Sequence, residues 1–110
     1  DYSAEQERLG KNVGDDFREG KITMPVLLAF QRGDEAERAF WRRTIEAREQ
    51  GEADLGQAIA LMQKHRAFAD TVARARDYGD RALAALAGFP DTPERRALEG
   101  IVEFCISRAR

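Results

Sequence analysis

Between Leu9 and Pro25 the chain places three glycines (Gly10, Gly14, Gly20), two lysines (Lys11, Lys21), Arg18 and three acids (Asp15, Asp16, Glu19). These types suit a place that holds an anion together with a hard cation. Lysine carries a compact charge with three donors, matched to diphosphate oxygens or to carboxylates. Glycine lets the backbone approach a ligand closely and take positive φ. Lys21 stands just before an apolar helical run, where free N–H groups favour an anion. Asp15 and Asp16 can bind a cation, order the segment through backbone N–H groups, or pair with Lys11 or Arg18. Magnesium takes one or two carboxylates and fills its shell with water and phosphate. The spacing matches neither G-x-x-x-x-G-K-[ST] nor G-x-G-x-x-G. On spacing alone the segment reads as a solvated, glycine-rich linker or, more sharply, as a metal–diphosphate site, and neither reading names a reaction.

The remaining reactive side chains narrow the chemistry. One histidine, His65, and one cysteine, Cys105, do not make a zinc cluster or a Cys–His nucleophile. His65 is expected at a helix surface, partly packed. Cys105 lies in an apolar run and reads as a buried, inert thiol without a disulfide partner. Trp41 and the phenylalanines read as core anchors, because no basic patch surrounds them as a base-stacking surface would require. The arginine-rich faces around 38–43 and 74–81 are accompanied by acids and read as solvated.

Composition bounds the class. A chain of 110 residues, 43% hydrophobic and 35% charged, is sized for one modest folded domain. Eighteen basic side chains against 20 acidic ones give a net charge of −2. That balance gives no global attraction to nucleic acid or to an anionic membrane, so an anion site must be local. No apolar stretch is long enough to span a bilayer, no secretory leader is read, and nothing argues for an oxidising compartment. The opening Asp-Tyr-Ser without Met fits a processed native start and a chain cut from something longer equally well.

Helix signals position these residues. Residues 1–21 read mostly as loop. A first helix is expected from about Ile22, with Pro25 in its first turn and Gly33 ending it as a C′ glycine. Asp34 and Glu37 form an expected capping box for a helix over 35–49. In that helix Ala36, Phe40 and Ala47 share one side, with Trp41 and Ile45 beside them. Gly51 breaks the pattern. A long helix follows from about Ala53 towards Ala87, weakened or bent at Gly79 or broken near His65–Arg66. Gly88–Asp91 is a turn. Thr92-Pro93-Glu94 starts a last helix, whose buried stripe is expected to be Leu98, Ile101, Val102, Cys105 and Ala109. The expectation is an all-α arrangement of four or five antiparallel helices.

The run Leu9-Gly10-Lys11-Asn12-Val13-Gly14-Asp15-Asp16-Phe17-Arg18-Glu19-Gly20-Lys21-Ile22-Thr23-Met24-Pro25 resembles the segment that follows the second aspartate-rich motif of trans-polyprenyl diphosphate synthases. It looks most like that of bacterial octaprenyl and decaprenyl synthases. Asp1, ten residues before Lys11, resembles the last aspartate of a D-D-x-x-D motif. The resemblance implies the isoprenoid synthase fold, C-terminal portion, over residues 1–110, with 1–21 as a diphosphate-binding loop and 22–110 as helices. It also implies an enzyme that condenses isopentenyl diphosphate with an allylic diphosphate. It further implies that magnesium ions bridge the allylic diphosphate to the aspartate-rich motifs and that the enzyme is a cytoplasmic homodimer. By the same resemblance Asp1 belongs to the metal shell, Lys11 contacts the allylic diphosphate, and Lys21 is a second basic contact. Asp15, Asp16 and Arg18 order the loop or lie one layer outside the metal.

The sequence also departs from the family. It has no first D-D-x-x-D motif, lacks the first two aspartates of the second, and lacks the isopentenyl diphosphate site. The chain alone is therefore expected to be inert, a segment of a larger enzyme. The alternative is a non-catalytic helical interaction protein related to the synthase that docks on another subunit.

Overall fold

Leu9, Val13 and Phe17 recur every four residues, the spacing that places side chains one above another on a helix. In the computed structural model, which describes residues 2–108 and the side-chain surroundings of residues 4–106, that stripe prevails over the glycines. Tyr2–Arg18 is a continuous helix, α1, not the expected loop. A glycine inside a helix costs roughly 1 kcal/mol relative to alanine. Burial of Leu9, Val13 and Phe17, the last only 1% exposed, offsets Gly10 and Gly14, since each fully buried apolar side chain contributes about 1.5–3 kcal/mol. Asp1 lies outside the described residues.

The remaining helices are α2 (Met24–Arg32), α3 (Glu35–Trp41), α4 (Asp54–Lys64), α5 (Ala67–Leu86) and α6 (Pro93–Arg108). Among the described residues there is no strand, so the all-α expectation holds, with more and shorter helices than the periodicity suggested. Helix α2 starts two residues after Ile22, with Pro25 in its first turn. Gly33 is not a left-handed C′ residue: at φ −82° and ψ 164° it is extended and leads directly into the next cap. There the Glu37 backbone N–H donates to Asp34 Oδ1 at 2.9 Å and the Asp34 N–H to Glu37 Oε1 at 3.3 Å, the expected reciprocal box.

Helix α3 ends eight residues before the expected limit and widens into a π-helical turn over Arg42–Glu46. The fully buried Thr44 hydroxyl donates back to the Phe40 carbonyl at 2.9 Å, a local bond that competes with the regular ladder. Ala36 and Ala47 are exposed, so the core side of this element is Phe40, Trp41 and Thr44. The long helix does break at His65–Arg66, where Arg66 adopts φ 58°. Helix α5 continues through Gly79. That glycine makes a notch for α6, since a Cβ there would lie 1.9 Å from Ile106 Cδ1.

The core gathers Leu9, Val13 and Phe17 of α1 with Val26 and Leu28 of α2, Phe40 and Trp41 of α3, Met62 of α4, and Phe68 and Val72 of α5. Phe17 stacks on Phe40 at 6.3 Å between ring centroids and meets the edge of Trp41 at 6.0 Å. Helix α6 packs on α5, and its apolar residues are mostly not buried: Ile101 is 58% and Phe104 61% exposed. Leu98 and Cys105 are exposed as well, so the expected buried stripe and inert buried thiol are corrected. Periodicity identified the apolar face, but the described residues do not cover it. Ala109 lies outside them.

Charged pairs tie the helices at their rims. The buried Glu5 carboxylate receives Arg76 from α5, Nε at 2.8 Å and Nη2 at 2.5 Å. Glu37 accepts from Lys64 and lies 2.7 Å from His65 Nε2, so His65 is partly packed as expected. Asp54 takes a bidentate bond from Arg43 at 2.9 and 3.0 Å and the Gly51 N–H at 2.7 Å.

Two predictions follow from this packing. Phe17→Ala should cost about 3–5 kcal/mol in denaturant unfolding of the intact protein, the range for a buried phenylalanine; a residue on a solvated loop would change stability by less than about 0.5 kcal/mol. The second concerns acid. The Lys64 bond, then His65, holds Glu37 down from 4.5 to about 2. The Arg43 bond, then the Gly51 N–H, holds Asp54 down from 3.8 to about 2. Both folded-state values are depressed, so their stabilisation is complete above the unfolded values and is lost as pH falls from about 4.5 towards 2. Melting temperatures across that window should fall less steeply in Glu37→Gln and Asp54→Asn than in the wild type, and equal slopes would contradict the assignment.

Candidate functional site

Because residues 9–18 are helical, their charges are sorted by the helical repeat. Lys11, Asp15 and Arg18, at i, i+4 and i+7, lie on one exposed face, opposite Leu9, Val13 and Phe17. Consecutive residues on a helix point about 100° apart, so Asp15 and Asp16 do not converge as a paired carboxylate. Asp15 is exposed on the Lys11 face, whereas the half-buried Asp16 turns towards the helix end and lies 3.9 Å from Lys21 Nζ. Among the described residues no group of three His, Cys, Asp or Glu side chains could hold a metal ion. The metal residue expected from sequence, Asp1, is outside the described set.

Lys21 is placed by the end of α1. The Gly20 N–H donates to the Phe17 carbonyl and the Lys21 N–H to the Asp16 carbonyl, both at 2.9 Å, and Gly20 takes φ 75°. This is a Schellman ending, with glycine in the left-handed conformation and the next residue's N–H reaching back to the helix. The contact that usually seals such a turn is apolar, but here it is ionic. Lys21 Nζ is 2.9 Å from Glu19 Oε2, and this bond, with the Asp16 charge behind it, raises the Lys21 pKa. Gly20 is thus the one glycine of the segment that needs positive φ. Gly10 and Gly14 are helical and face Phe68 and Leu55 at ordinary contact distance, so neither supplies positive φ, and Gly10 also lines the cleft beside Lys11. The Phe17-Arg18-Glu19-Gly20 pattern carried a helix-end signal that was legible once α1 was read as a helix.

Lys11 stands at a separate feature. It lines a cleft of about 390 Å³ with Gln6, Glu7, Ile59, Gln63 and Phe68, between α1 and the α4–α5 corner. Amide, ammonium and carboxylate groups border an aliphatic and an aromatic side chain there. No direct contact joins Lys11 to Lys21. About 10 Å of helix, at 1.5 Å per residue, separates Lys11 from Arg18, and Lys21 lies beyond it. The structure therefore brings Lys11, Asp15 and Arg18 to one face and Lys21, Asp16 and Glu19 to the helix end.

These helices recur in solved structures. The crystal structure of a decaprenyl diphosphate synthase from Rhodobacter capsulatus superposes with a TM-score of 0.79 at 45% identity, covering 94% of this chain and 34% of that one. A polyprenyl synthase from Caulobacter crescentus, complexed with calcium and isoprenyl diphosphate, matches with a TM-score of 0.69 at 48% identity, over 88% of this chain and 30% of that one. The class is therefore the all-α isoprenoid synthase fold. The family model described as polyprenyl synthetase matches residues 1–62, more than half of the chain, and the chain belongs to that family. It is 40% identical over all 110 residues to the octaprenyl diphosphate synthase of Escherichia coli, of which it covers 34%. The chain thus spans about a third of the length of the curated relatives it matches.

Gly20 and Gly14 predict opposite outcomes. Gly20→Ala should cost about 1–2 kcal/mol, because a side chain at positive φ is strained and its Cβ would press on Arg48 Nε at 3.1 Å. Gly14→Ala places its Cβ 3.5 Å from Leu55 Cδ1 and should be neutral or stabilising by up to about 1 kcal/mol. Urea unfolding of both variants checks this ordering, and equal costs would contradict it.

Proposed function

We propose that this chain is the segment of a long-chain trans-polyprenyl diphosphate synthase that grips the allylic diphosphate. The complete enzyme would condense that substrate with isopentenyl diphosphate, as a cytoplasmic homodimer. The observation that carries the reading is the cleft beside Lys11, where an exposed ammonium, two amide side chains, Gln6 and Gln63, and the Glu7 carboxylate border Ile59 and Phe68. An amphiphile with a charged head and a hydrocarbon tail presents those two chemistries side by side. The complex named for the Caulobacter relative, with calcium and isoprenyl diphosphate, supports the same ligand class. That no helix among the described residues is long and apolar enough to cross a membrane is compatible with an enzyme that acts on amphiphilic substrates from water.

In this reading Lys11 contacts the diphosphate and Lys21 supplies a second cation at the end of the same helix. Negative charge grows on the diphosphate as its bond to the allylic carbon breaks. A fixed ammonium therefore stabilises the transition state more than the ground state. Arg18 and Asp15, on the Lys11 face, set the local field, and Asp16 with Glu19 holds Lys21 until an anion competes for it. A divalent ion, magnesium in this proposal, would neutralise part of the diphosphate charge. The described carboxylates do not converge to hold one, so Asp1 is the chain's proposed contribution to a shell completed elsewhere in the enzyme.

The alternative of a non-catalytic docking subunit draws on the exposed apolar residues of α6. The lysines separate the two readings, because a docking subunit has no use for Lys11 in turnover. In the complete enzyme Lys11→Ala should remove about 2–4 kcal/mol of transition-state stabilisation, the range for losing one preorganised electrostatic contact. Steady-state kcat/KM for the allylic substrate measures it, and an unchanged value would refute the assignment.

A further inference from the structure

The stretch that follows the π-helical turn reaches back, across about 30 residues of sequence, to the end of α1. Arg48 Nη2 donates to the Glu19 carbonyl at 2.6 Å. Gln50 Nε2 donates to the Phe17 carbonyl at 2.7 Å and to the Thr44 carbonyl at 3.0 Å. The last carbonyls of a helix lack regular partners within it; Arg48 supplies one to the Glu19 carbonyl, and Gln50 adds a second donor to the Phe17 carbonyl, which already accepts from the Gly20 N–H of the Schellman turn. The fit between Arg48 and Gly20 is close. A Cβ on Gly20 would lie 3.1–3.4 Å from three guanidinium atoms, so the guanidinium rests on the turn itself.

Arg48 holds this place at a conformational cost. Its own φ is 59°, a left-handed geometry that favours glycine over a residue with a Cβ. A glycine at 48 would suit the backbone better and would lose the bond to Glu19. The side chain, not the backbone, therefore accounts for an arginine there. Glu19 is in turn the residue whose carboxylate meets Lys21 at 2.9 Å, so Arg48 grips the main chain of the residue that directs the lysine.

We propose that Arg48 and Gln50 are positioning residues for Lys21: they clamp the carbonyls of Glu19 and Phe17 and so fix where the Lys21 ammonium stands when a diphosphate binds. This rests on the reading that Lys21 contacts diphosphate. Nothing in the local sequence around residue 21 indicates the clamp, because both members come from the far side of α2 and α3.

The test uses the intact protein with magnesium and inorganic diphosphate as the probe, followed by calorimetry, and amide hydrogen exchange at Gly20 and Lys21. Arg48→Gly removes the guanidinium while relieving the backbone, so the melting temperature should hold or rise. Diphosphate affinity should nevertheless fall roughly 5- to 10-fold, the size of a direct coupling between neighbouring groups, and both amides should exchange faster. Gln50→Ala should move both readouts in the same direction. In a Lys21→Ala background Arg48→Gly should cause no further loss, because its effect passes through the lysine. If Lys21→Ala weakens binding but Arg48→Gly leaves affinity within about twofold, or if the two losses simply add, the positioning role is overturned while the diphosphate reading stands. If Lys21→Ala itself leaves diphosphate affinity unchanged, the reading of Lys21 fails and the positioning role fails with it.

Discussion

Phe17 is held against Phe40 and Trp41 at centroid separations of 6.3 and 6.0 Å, and the orientation of α1 follows from that contact. A helix can bury only one face here, so seating Phe17 between two rings of α3 turns Leu9 and Val13 inward and Lys11, Asp15 and Arg18 outward. It also brings the end of α1 within reach of the irregular stretch 47–50, where Arg48 and Gln50 meet its last carbonyls. The π-helical turn contributes to the same arrangement. By widening the helix after Trp41 it keeps both rings in the core while letting the chain double back towards Gly20. The position of the charged groups is thus a consequence of aromatic packing on the opposite face of their own helix.

Electrostatics then act on a frame already set by burial. Most of the ion pairs are at least partly exposed, and exposed pairs contribute little individually. The Glu5–Arg76 and Asp54–Arg43 pairs differ because each carboxylate is largely shielded and receives bidentate guanidinium bonds, a geometry that fixes orientation. Lys21 is different again. It is exposed and paired with Glu19, so the ammonium can exchange a carboxylate for an incoming anion without leaving a buried charge behind. Screening by salt acts on such a group far more than on the shielded pairs.

What the sequence made legible was mostly local. The Asp34–Glu37 box, the Pro25 and Pro93 starts and the break at His65–Arg66 are decided by residues within a few positions of one another, and all appear in the structure. Helix α1 was obscured because three glycines and nine charges over residues 5–21 hide a three-residue stripe spaced by four. Two of those glycines serve helix contacts rather than backbone freedom. The exposure of α6 was not legible because an apolar period says which face wants burial and not whether a partner lies opposite. At the site, the types of Lys11 and Lys21 pointed to an anion, and the resemblance pointed to diphosphate. The contribution of Arg48 and Gln50 depends on contacts across 29 and 33 residues, which no spacing rule reaches.

The central claim is that Lys11, on α1, and Lys21, just past its end, are both contacts for a diphosphate, while Lys64, the third lysine of this chain, is engaged by Glu37. Reductive methylation of the intact protein, with each lysine followed by peptide mass spectrometry, reads all three at once. The account predicts that magnesium and inorganic diphosphate slow modification of Lys11 and Lys21 and leave the rate at Lys64 unchanged. Equal rates at Lys11 and Lys21 with and without diphosphate would contradict it.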